Sequence, residues 1–171
     1  MKFWEYVLAT FGGVGLGFVF SIFLFYLTNR WGRNTRRRLL EKNVVKEFEF
    51  NEKYLEEVVK KLDEAIQDIT VGDKNGSYYF NYRSYQRLFT NAYFMQDFLY
   101  EKLSPDDTYK LDLILSRMTS GGEQFMTGLM DKWKSSQIGQ QAALKFARLE
   151  RDCMKSFIKD IGKMKQKIAG K

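Results

Sequence analysis

The side chains able to do chemistry in this sequence are few, and their types narrow the chemistry that is open. The chain has 171 residues, no histidine and one cysteine. Without histidine it lacks the commonest general base, the commonest transition-metal ligand and every histidine-containing triad. Cys153 alone can form neither an intrachain disulfide nor a cysteine-based zinc site. A lone helical cysteine reads as packing, and no neighbour lowers its pKa decisively. Aspartate and glutamate remain as acids, bases or Mg²⁺ ligands, but no paired site stands out. The chain is therefore not expected to be an enzyme, and no cofactor or metal is expected.

Two further patterns have a chemical and a structural reading. Gly121-Gly122 ahead of a helix resembles a phosphate loop, but no GxxxxGK[ST] pattern is present. Residues 78–103 carry ten aromatic side chains, with Arg83 and Arg87 among them. Base stacking with phosphate contacts is one reading. The aromatic residues follow helical spacing, which favours an aromatic core.

The elements that must position these residues begin with an apolar run. Tyr6 to Asn29 contains no charged residue. As a helix, 24 residues extend about 36 Å, against a hydrocarbon core of about 30 Å. Trp4 and Tyr6 flank one end, Tyr26 and Trp31 the other, where amphipathic rings suit headgroup regions. A cleaved signal peptide would be shorter and would close on small residues; Tyr26-Leu27-Thr28-Asn29 does not. The sequence thus predicts a transmembrane anchor over 1–29, its span about 6–28. Arg30, Arg33, Arg36, Arg37, Arg38 and Lys42 follow it, which predicts N-out, C-in topology in the cell membrane. The segment 30–43 is a basic juxtamembrane stretch, and its five arginines are expected against inner-leaflet lipid. Within the span Ala9, Gly13, Gly17 and Ser21 recur every fourth residue. This stripe lets two backbones approach closely and predicts a homo-oligomer.

Residues 44–171 read as a cytoplasmic bundle. Phe48, Leu55, Leu62 and Ile69 are spaced by sevens, with Val58 and Ala65 between them and Val45 and Asn51 in the equivalent earlier places. This predicts a helix over 44–70, a coiled-coil stalk or a bundle helix; the few heptads favour the bundle. Val71–Ser77 is a turn, with Gly72 and Asn75-Gly76. An aromatic helix is expected over 78–103. Ser104-Pro105-Asp106-Asp107 signals a helix start, with a cap, a proline at the first position and acids at the positive end of the dipole. Helices are expected to continue to Met118, from Glu123 to Trp133, and over 137–168. The last carries a stripe of Phe146, Leu149, Cys153, Phe157, Ile161, Met164 and Ile168.

Charge is unevenly placed. Residues 132–171 hold eleven Lys and Arg against three acids, whereas residues 43–76 hold five against nine. The basic last helix can pair with the acidic first one, lie on an anionic leaflet, or meet nucleic acid. No nucleic-acid module supports the third reading. The fold class is all-α: one N-terminal transmembrane helix, then an antiparallel bundle of four or five helices. The function expected is a membrane-anchored interaction or scaffold module, with a possible protein partner on the cytoplasmic side. The alternative is a membrane-acting effector whose anchor oligomerises and perturbs the bilayer; growth arrest with depolarisation on overexpression would mark it.

Overall fold

The structure, a computed structural model, describes the backbone of residues 2–96 and 98–170 and the side chains of residues 19–96 and 98–170. Among the described residues the fold is all-helical, with six α-helices and no strand. They are α1 (Lys2–Val71), α2 (Leu88–Phe94), α3 (Phe98–Lys102), α4 (Pro105–Arg117), α5 (Ser120–Lys134) and α6 (Gln140–Ala169), with a 3-10 turn at Tyr82–Ser84. The chain divides into two compact units, meeting between Leu39 and Leu40.

In the first unit, the side chains of Val19, Phe20, Ile22, Phe23, Leu24, Phe25 and Tyr26 are exposed along α1. The Thr28 hydroxyl donates back to the Leu24 and Phe25 carbonyls, at 2.8 and 3.1 Å. This local bond satisfies the hydroxyl within its own helix. No helix of the described residues is long and apolar enough to cross a membrane. The described side chains take in only residues 19–28 of the expected span, and arginines follow directly. The remainder of the 6–28 run lies outside the described side chains.

In the second unit, α1 buries one stripe: Val44, Phe48, Leu55, Val58, Leu62, Ala65 and Ile69. The heptad reading placed Val45 there, but Val44 is buried and Val45 is half-buried. Each of the large side chains contributes roughly 2 kcal/mol by leaving water. The helix stops at Gly72, whose φ of +79° suits glycine. Asp73 N bonds Asp68 O (2.9 Å) and Gly72 N bonds Ile69 O (3.2 Å), which closes the last turn.

The expected helix over 78–103 is replaced by an extended run, the 3-10 turn and the two short helices α2 and α3. Tyr78, Phe80 and Tyr82 point inward while Tyr79 and Arg83 are exposed, a period of two rather than 3.6. The backbone here finds its hydrogen-bond partners on α1 instead of within itself. The Tyr54 hydroxyl donates to the Asn81 carbonyl, and Lys61 Nζ lies 3.4 Å from the Tyr79 carbonyl. Asn51 takes both backbone groups of Gln86, donating to its carbonyl at 2.7 Å and accepting from its N–H at 2.8 Å. Glu47, 3% exposed, accepts from Phe89 N (2.7 Å), Thr90 N (3.1 Å) and the Thr90 hydroxyl. A carboxylate from one helix thus caps the N-terminus of another. Tyr78 reaches Asp68, and Tyr93 reaches Glu41 at 3.1 Å. The segment therefore runs back antiparallel along α1, tied to it from residue 68 to residue 41.

α4 begins where the sequence predicts. Ser104 accepts from Asp107 N (3.2 Å), and Asp107 accepts from Ser104 N (3.0 Å), a reciprocal capping box. Lys167 Nζ of α6 also meets Asp107, at 2.6 Å. Burial alone would raise the Asp107 carboxyl; the bonds from Lys167 and Ser104 outweigh it and hold the pKa at about 2. A depressed folded pKa stabilises fully above the ordinary 3.8 and is lost as pH falls through about 2. Asp107→Asn is expected to lower stability at neutral pH by about 1 kcal/mol, a figure reduced for the half-exposed lysine. The difference from wild type should shrink as pH drops from 4 toward 2, which acid-unfolding curves of the two proteins would show.

The break between α4 and α5 falls at Met118-Thr119, and Ser120-Gly121-Gly122 forms the first turn of α5. A Cβ at Gly122 would collide with the Arg117 carbonyl and lie 3.0 Å from the Tyr82 ring, so glycine permits the approach. α6 packs antiparallel to α1, with Lys165 on Glu52, Arg151 Nη1 3.4 Å from Asp63, and Gln140 donating to the Ile69 and Thr70 carbonyls. The basic last helix does pair with the acidic first one.

Candidate groove between α4, α5 and α6

The sequence places Phe146, Leu149, Cys153 and Phe157 on one stripe of α6. The structure buries Ile161, Met164 and Ile168 at the C-terminal end of that stripe, but toward its start buries Ala143, Ala147, Glu150 and Met154 instead, about one position round the helix. Phe146 and Leu149 are left 44% and 57% exposed, and Cys153 and Phe157 half-buried. Phe125 of α5 is 44% exposed. These side chains, with Leu113 and Ser116 of α4, line a groove of about 610 Å³. Phe125 and Phe146 meet edge to face, ring centres 6.3 Å apart.

A closed polar cluster forms the floor. Glu150, 4% exposed, accepts from the Tyr82 hydroxyl at 3.0 Å and from Arg117 Nε at 3.1 Å, with Arg117 Nη2 on its other oxygen. This is a two-point guanidinium–carboxylate pair. The Arg117 guanidinium also lies 5.1 Å from the centre of the Phe125 ring, a cation–π contact. Burial, then Glu150, pushes the Tyr82 phenol well above its usual range. Burial first and Glu150 second also push the Cys153 thiol up. The sulfur is held as a thiol, the form that is neither nucleophile nor metal ligand. The polar groups of the floor are engaged with one another, and what faces solvent is mostly apolar. Such a surface binds by shape and burial.

The residues singled out for membrane roles fall elsewhere. Ala9, Gly13 and Gly17 lie outside the described side chains, and Ser21 is exposed on α1. Arg30, Arg33, Arg36 and Arg38 are exposed, and Arg37 is half-buried. Among the described residues no group of three His, Cys, Asp or Glu could hold a metal ion. Sequence reasoning missed Tyr82, Arg117 and Glu150 as one cluster, and Glu47 as the cap of α2. Its available signal was a carboxylate set within an apolar pattern: Glu47 between Val44 and Phe48, Glu150 between Leu149 and Cys153.

No protein-family model, no curated protein and no solved structure matches the chain.

Proposed function

We propose that the chain is a membrane-tethered helical interaction module. The exposed apolar groove over a closed ion-pair floor is the observation that carries this reading, because a surface of that kind gains by being covered. In it, residues 6–28 span the membrane with the N-terminus outside, and Arg30, Arg33, Arg36, Arg37 and Arg38 lie against inner-leaflet headgroups. Copies associate through Ala9, Gly13, Gly17 and Ser21, and the cytoplasmic unit recruits a protein through the groove.

Two measurements test the tether. A reporter active only in the cytoplasm, fused after Lys171, is expected to be active at normal expression; an inactive fusion would overturn the topology. Gly13→Ile with Gly17→Ile is expected to reduce dimerisation of the 1–43 segment in a membrane reporter, and Gly15→Ile to do less. Equal association of the three would remove the stripe as an interface and leave the anchor as a tether alone.

A further inference from the structure

Seven asparagines stand in the chain, and Asn75 is the one followed by glycine. We propose that Asn75 is a site of self-modification. The folded chain converts it to aspartate and isoaspartate through a cyclic imide with Gly76, water being the co-reactant, and the isoaspartyl form loosens the start of the returning segment from α1. In the first step the Gly76 nitrogen gives its proton to solvent base and attacks Asn75 Cγ. The new C–N bond closes a succinimide, and the side-chain nitrogen leaves as ammonia after taking a proton from water. Water then opens the ring. Attack at Cγ yields an ordinary aspartate. Attack at the Asn75 main-chain carbonyl carbon leaves the chain running through the side chain, which is isoaspartate. One amide and one water become one carboxylate and one ammonium, with no change of oxidation state.

Both reacting groups are free at this position. Asn75 is exposed, in a stretch with neither helix nor strand. Its own N–H donates to Asp73 Oδ1 at 2.9 Å, but among the described residues its side-chain amide and the Gly76 N–H have no hydrogen-bond partner. Gly76 carries no Cβ to crowd the attacking nitrogen. The other asparagines are held. Asn29, Asn34, Asn43 and Asn51 lie inside α1 and Asn91 inside α2, where the next residue's N–H is committed to the helix. Asn81 precedes the bulky Tyr82, and its side-chain nitrogen donates to Ser84 Oγ at 2.7 Å.

The consequence follows from how tightly this turn is pinned. The Gly76 carbonyl accepts from Lys134 Nζ of α5, Lys74 Nζ lies 2.5 Å from Ser136 Oγ, and Tyr78 reaches Asp68. A Cβ on Gly76 would stand 2.5 Å from the Tyr78 hydroxyl and 2.7 Å from Asp68 Oδ2, so the chain has no slack there. An isoaspartyl link inserts a methylene into the main chain directly before Gly76. Gly76 must then shift, and its contacts with Lys134 and Tyr78 shift with it. A plain aspartate adds charge at an exposed position and leaves the main chain unchanged.

The test ages the full chain in detergent at mildly alkaline pH and follows the tryptic peptide from residue 75 to residue 83, which carries Asn75 and Asn81 together. Conversion is expected at Asn75 with Asn81 intact. Its rate is expected to lie within about tenfold of that in urea, since an exposed loop opens at almost no cost. Isoaspartate is read by methyl transfer from labelled S-adenosylmethionine with an isoaspartyl methyltransferase. Asn75→Gln, whose longer side chain closes the ring poorly, is expected to bring the label to background. The isoaspartyl fraction, isolated by chromatography, is expected to unfold at lower urea and to be cut by chymotrypsin after Tyr79 several-fold faster. Asn75→Asp is expected to match the fresh chain in both. Conversion in urea alone, equal conversion at Asn81, or a label that survives Asn75→Gln would overturn the site. An isoaspartyl fraction as stable and as resistant as the Asn75→Asp chain would overturn the loosening.

Discussion

Glu150→Leu is expected to destabilise the second unit by about 3–4 kcal/mol. The substitution leaves a guanidinium and a phenol at the floor of the groove without the carboxylate that both of them use. Most of the cost is the uncompensated charge of Arg117 and the unpaired Tyr82 hydroxyl, not the worth of the pair itself. Replacing all three together, as Glu150→Leu, Arg117→Met and Tyr82→Phe, is accordingly expected to recover most of the loss. Urea unfolding followed by the fluorescence of Trp133, which is 2% exposed, would measure both. A triple variant as unstable as the single one would show that the cluster stabilises by more than mutual satisfaction.

Glu47→Ala is expected to cost about 3 kcal/mol. It orphans two backbone N–H groups and a hydroxyl at the start of α2. Orphaned buried donors cost about 1–3 kcal/mol each, and partial hydration of a short helix limits the sum. For a unit of this size that is a fall in Tm of about 10 °C. Glu47→Gln keeps an acceptor and should lose roughly half as much. Glu49→Ala, two residues along and exposed, should stay within about 0.5 kcal/mol. Thermal melts of the three variants give the ranking; a loss at Glu49 equal to that at Glu47 would refute the cap.

How much of this was legible in the sequence depended on whether local chemistry or tertiary partners decided the outcome. The α4 start could be read because Ser104, Pro105 and Asp107 act on one another within four residues. The α1 stripe and the Gly72 stop were readable for the same reason. The segment 78–103 was not, because its backbone bonds are supplied by Asn51, Tyr54 and Glu47, more than twenty residues away in sequence. Its aromatic residues satisfy a helical rhythm and an alternating one at once, and periodicity could not separate them. The groove was hidden by the same ambiguity: Phe146, Leu149, Cys153 and Phe157 make a sound apolar stripe on α6. Only the packing of Ala143, Ala147 and Met154 against the other helices shows that the core uses the adjacent row. Asn51 was visible as a polar residue in an apolar seam, but nothing local named Gln86 as its partner.

The ties along α1 give the second unit a direction in which it is strong. Glu41, Glu47, Asn51, Tyr54 and Asp68 hold the returning segment, and Glu52 and Asp63 hold α6. A pull on α1 along its own axis, applied at Leu40, strains these connections all at once, so the load is shared in shear. A pull across the axis reaches them one after another and peels the segment away. Rupture is governed by the unfolding rate in that direction. The same set of bonds within the second unit therefore resists axial tension far better than transverse tension.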